Sequence, residues 1–81
     1  MNKDFNPRLQ ALILEIVDNQ LSDNNPPATR TTLDRLMKSG YSEEDARKMI
    51  GSVVVEFLFD AMKNGIQYDA VRYRKRLDEL K

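Results

Sequence analysis

Two carboxylates, Glu56 and Asp60, stand four residues apart in the chain, the spacing that makes neighbours on a helix surface. With Glu15 brought in from another helix they would form an oxygen cluster of the kind that hard cations take. Metal centres in helical bundles join such carboxylates to histidine, and this sequence has no histidine and no cysteine. It therefore lacks the commonest general base, the commonest transition-metal ligand and any thiolate. The ordinary state of Glu56 and Asp60 is solvent exposure or pairing with a lysine or arginine. The expectation is no catalytic set, no cofactor and no tight transition-metal site.

Two other groups invite a chemical reading. Gln20 is an amide on an otherwise apolar stripe. It is either a ligand-binding amide or, the preferred reading, a buried amide serving orphan backbone groups at a helix end and in the loop from Asp23 to Pro27. Arg72, Arg74, Lys75 and Arg76 are a basic cluster near the C-terminus. They could meet RNA or an acidic partner. The plainer reading is a solvated face, favourable to a helix C-terminus and balanced by Asp78 and Glu79. The sequence holds no glycine-rich phosphate loop and no Ser-His or Cys-His pair.

The elements that must position these residues are helical. From Ala46 to Met62 the apolar residues fall at Ala46, Met49, Ile50, Val53, Val54, Phe57, Leu58, Ala61 and Met62, steps of three and one that define a helical stripe. Val55 and Phe59 add apolar surface outside it. A helix this oily belongs in the centre of a bundle. Its repeat of nearly four residues drifts about 40° per step, so its two ends should face different partners. Ser42 reads as its N-cap, with Asp45 in an approximate capping box, and Asn64-Gly65 as its end.

Ahead of it, Asn6-Pro7 reads as N-cap and first position of a helix running to about Leu21. Its inner face would be Leu9, Leu12, Ile13, Ile16, Val17, Gln20 and Leu21. A loop through Pro26 and Pro27 follows. A short helix then runs from about Ala28 or Thr29 to Ser39, with Leu33, Leu36 and Met37 inward and Gly40 as a left-handed stop. Asp69 can cap a last helix from Ala70 to about Leu80, with a seam of Ala70, Tyr73, Leu77 and Leu80. The fold expected is all-α: a compact single-domain four-helix bundle over residues 6–81, third helix central, with residues 1–5 loose.

Composition is that of a globular chain: 81 residues, 41% hydrophobic and 32% charged, with thirteen basic and thirteen acidic residues. A neutral chain is not drawn strongly to nucleic acid or anionic lipid. No apolar run approaches the roughly 18 residues that span a bilayer, and the N-terminus lacks the apolar core of a signal peptide. The expected location is the cytoplasm, with no membrane partner.

Asn6-Pro7, Gln20-Leu21, Pro26, Ala46, Glu56, Asn64-Gly65, Asp69, Tyr73 and Leu77 stand at spacings that resemble a family of small bacterial helical proteins known only as a domain of unknown function. The likeness spans roughly residues 6–80. It implies an all-helical bundle and no activity. Where that family pattern carries histidines, this chain has Gln10, Leu14 and Lys48, so any metal or proton chemistry those histidines serve is lost here.

The corner Ser39-Gly40-Tyr41-Ser42 resembles a helix-turn-helix. The turn that would enter a DNA groove, however, begins Glu43-Glu44-Asp45, which phosphates repel. A ubiquitin-associated domain also joins helices through a Gly-aromatic turn, but its second helix is far shorter than the stretch from Ser42 to Lys63. The reading that remains is a non-catalytic binding or oligomerising module. Its partner would be another protein or a second copy, and its candidate interaction face comprises Phe59, Val55, Arg72 and Arg76. The alternative is a nucleic-acid-binding accessory using the C-terminal basic face; an enzyme ranks last.

Overall fold

The computed structural model describes residues 7–81. The four helices are α1 (Pro7–Asp23), α2 (Pro27–Lys38), α3 (Glu43–Asn64) and α4 (Ala70–Asp78), and no strand occurs among the described residues. The N-cap assigned to Asn6 and the loose segment 1–5 lie outside them. α3 packs against each of the other three helices. One core joins Ile13 and Val17 of α1, Leu33 and Leu36 of α2, Ala46, Ile50, Val53 and Val54 of α3, and Tyr73 and Leu77 of α4.

Local chemistry sets the helix ends. The Ser42 hydroxyl accepts the Asp45 N–H at 3.0 Å, and Glu43, Glu44 and Asp45 sit at the positive end of the dipole. At the other end Gly65 takes φ 65°, a conformation costly for a residue with a Cβ. This lets the Ile66 N–H reach back to the Asp60 carbonyl at 3.2 Å. Asp69 Oδ1 accepts the Val71 N–H at 2.9 Å and the Arg72 N–H at 3.3 Å, which starts α4.

Several sequence expectations need correction. Pro27 does not delay α2; it occupies the first turn, where its missing N–H has no intrahelical partner to lose. The buried face of α2 is Thr29, Thr32, Leu33 and Leu36, and Met37 is exposed. Leu12 is also exposed: it lies 100° round from Ile13, past the edge that α2 and α3 cover. Ala70 is exposed too, and α4 stops at Asp78, short of Leu80.

The stripe on α3 fades along its length. Ala46, Ile50, Val53 and Val54 are buried, Phe57 and Leu58 are half-buried, and Ala61 and Met62 are exposed. α3 has 22 residues against 12 in α2 and 9 in α4. Its last turns pass beyond the neighbours that would cover them.

One buried position on α3 has no side chain at all. Gly51 sits where α1 crosses α3, and a Cβ there would lie 3.0 Å from Ile13 Cγ2. The absent side chain lets the two helices approach at this point.

Candidate functional site

Each candidate residue has a definite place. Glu56 and Asp60 face α4 and are taken up by arginines. Arg76 donates to Glu56 through Nε and Nη2, the shortest contact being 2.9 Å, and also pairs with Glu79. Arg72 Nη2 meets Asp60 Oδ2 at 2.5 Å, with its guanidinium 4.7 Å from the centre of the Phe57 ring. Bonding to Glu56 first, and then to Glu79, pushes the Arg76 pKa up. Arg72 and Arg76 thus spend their charge within the molecule, pinning α4 to α3. Pairs this exposed are individually weak, so they orient the helices more than they stabilise them.

Glu15 is exposed on α1. It does not join the other two carboxylates, and the described residues contain no group of three or more His, Cys, Asp or Glu that could hold a metal ion.

Gln20 is half-buried, and its Oε1 accepts two hydroxyls: Thr29 Oγ1 at 2.7 Å and Tyr73 Oη at 3.0 Å. The bonds join α1, α2 and α4 through one atom. The expectation that this amide serves orphan backbone groups is corrected. The end of α1 closes through the backbone instead, with the Asn24 N–H on the Leu21 carbonyl and the Asn25 N–H on the Gln20 carbonyl. No buried side-chain nitrogen or oxygen among the described residues lacks a partner. A relay of this kind holds the three helices in register.

Tyr73 also anchors an aromatic cluster. Its ring stands edge-on to Phe57 at 5.2 Å and tilted to Tyr68 at 5.6 Å. Burial pushes the Tyr73 hydroxyl pKa above its ordinary 10. The neutral phenol is the form the fold prefers, so this contribution is fully present below pH 10 and is lost as pH rises through the raised folded value. Alkaline titration of stability by urea unfolding should fall more steeply for the natural chain than for Tyr73→Phe. Tyr68, raised in the same direction by burial and by Asp69, leaves a residual slope in the variant.

Apolar side chains also reach the surface along the distal turns of α3. Phe59 is 45% exposed and Met62 is 72% exposed. With the half-buried Val55 they recur at four and three residues along one side of α3. Val55 itself packs against the core, so only the distal part of this stripe is open. The four residues of the candidate interaction face therefore divide: Phe59 is exposed and Val55 packs on the core, whereas Arg72 and Arg76 pair with Asp60 and Glu56.

A second feature was not visible in the sequence. Pro27, Ala28 and Thr31 of α2 and its N-cap face Ala70, Val71, Arg74 and Asp78 of α4 across an open groove of about 440 Å³. Arg35, which also lines it, donates to the Leu80 carbonyl at 2.7 Å and the Leu77 carbonyl at 3.0 Å, clamping the two helices. Spacing within either helix could not reveal a space that exists only between them.

No family model matches the chain, and no curated protein or solved structure was found to be similar to it.

Proposed function

We propose that this chain is a non-catalytic cytoplasmic binding module that engages a protein through the distal stripe of α3. One observation carries the reading: Phe59 and Met62 stand exposed at 45% and 72% on the same side of that helix. Large apolar side chains grouped on one surface mark interaction sites. The consumption of Glu56, Asp60, Gln20 and Tyr73 in contacts between helices supports a scaffold rather than a reaction centre. No described helix is long and apolar enough to cross a membrane, and the residue pattern shared with small bacterial helical proteins of unassigned activity belongs to the same reading.

The nucleic-acid alternative rests on Arg74 and Lys75, which make no ion pair with a described residue. Two open cations on a neutral chain are a weak electrostatic footprint. The test is capture of proteins from a bacterial lysate by the immobilised chain, against Phe59→Ser/Met62→Ser. The variant should melt within a few degrees of the natural chain, since both side chains are exposed, and should lose the captured protein. Unchanged capture, or salt-sensitive retention of the natural chain on heparin, would overturn the reading.

A further inference from the structure

We propose that the partner is a second copy of this chain, whose α2–α4 groove receives the distal stripe of α3. The inference rests on the binding-module reading and adds the identity of the occupant.

The two surfaces belong to different faces. On α4, Arg72 and Arg76 turn to α3, whereas Val71, Arg74 and Asp78 border the groove against α2. The stripe of one copy is therefore free to meet the groove of another. The groove is bordered by the small or apolar side chains of Pro27, Ala28, Ala70 and the 79%-exposed Val71. It has room for two large side chains, and Phe59 and Met62 are the pair that α3 presents.

Charge fixes the direction. Lys63 follows Met62, is exposed, and makes no ion pair with a described residue. Asp78 lines the groove, is exposed, and is likewise unpaired among the described residues. An α3 lying parallel to α4, with Phe59 level with Val71 and Arg74, brings Lys63 toward Asp78, since each charge stands about one to two turns C-terminal to those residues. A chain with thirteen basic and thirteen acidic residues carries no net charge to keep copies apart. The contact area is well below the roughly 800 Å² per partner of a standard stable interface. The association is accordingly a weak one.

Sedimentation equilibrium of the purified full chain tests it, from about 10 μM to about 1 mM, the range in which contacts of this size populate. The average mass should rise above that of the monomer. Met62→Glu, which spoils the stripe, and Val71→Glu, which spoils the groove, should each sediment as monomers at every concentration. An equimolar mixture of the two should associate again, because one supplies an intact groove and the other an intact stripe. Lys63→Asp and Asp78→Lys should each weaken association about tenfold, and the double exchange should recover it. Thermal melting of each variant confirms that it is folded.

A natural chain that stays monomeric at the highest concentration overturns the inference, while lysate capture through Phe59 and Met62 would still stand. A mixture that stays monomeric, or Val71→Glu that associates like the natural chain, also overturns it, since a stripe that pairs with a stripe has no use for the groove.

Discussion

Tyr73→Ala should destabilise the chain by about 3–5 kcal/mol, the range for deleting a buried aromatic side chain. An 81-residue domain has about 4–12 kcal/mol of stability in total at the usual value per residue, so the variant should lose about half of a mid-range stability and unfold at a correspondingly lower urea concentration. The magnitude follows from position. Tyr73 is 2% exposed, its ring packs on Phe57 and Tyr68, and its hydroxyl donates to Gln20 Oε1. Tyr73→Phe separates the two contributions. It keeps the ring and removes one of the two donors that Gln20 receives, so it should cost only about 0.5–1.5 kcal/mol. Urea unfolding of the three chains reads both numbers. A Tyr73→Phe as damaging as Tyr73→Ala would shift the weight from the ring to the hydroxyl relay. Phe57→Ala belongs in the same series with a smaller loss, about 1–3 kcal/mol, because Phe57 is only half-buried and gives up less contact.

The helices were legible because their ends are written in local chemistry. Ser42, Gly40, Gly65 and Asp69 act within a few residues of themselves, through a side-chain oxygen or a positive φ, so a sequence shows them directly. The inward positions Ile13, Val17, Leu33, Leu36, Ile50 and Leu77 were legible for a related reason: a stripe at helical spacing must be covered by something. How far the cover extends is not a local property. Nothing between Phe57 and Met62 records that α4 has only 9 residues, so the sequence alone reads the stripe as core to its end. The candidate site failed to be legible in the same way. Arg72 and Arg76 look like an open basic face until α4 folds back along α3 and meets Asp60 and Glu56. Thr29 and Thr32 look polar, yet both are buried, and Thr29 spends its hydroxyl on Gln20 nine residues earlier. That partnership depends on the turn between two helices rather than on either helix.

Gly51 is the position where sequence and packing are furthest apart, and it leads to the second large expected effect. In isolation a glycine in a helix interior costs about 1 kcal/mol relative to alanine, so a propensity argument would replace it. The Cβ of such a replacement would sit 3.0 Å from Ile13 Cγ2, closer than carbon atoms pack at their optimum of about 3.5–4.0 Å. For Gly51→Ala the helix-propensity gain and the displacement of Ile13 oppose each other, and the net change should lie within about 1 kcal/mol. Gly51→Leu has no such balance. Its branch would press on Ile13 and drive α1 from α3, and the variant should lose about 1–3 kcal/mol or more through overpacking. The assignment to Ile13 can be tested by a double-mutant cycle. Ile13→Ala alone opens a cavity and costs about 2–5 kcal/mol. In the Gly51→Leu background the new side chain occupies the vacated space. The double variant should therefore be more stable than the sum of the two losses by at least about 1 kcal/mol, a coupling expected only of residues in contact. Strict additivity in urea unfolding would mean that the leucine is accommodated elsewhere and that the glycine is not what brings α1 onto α3.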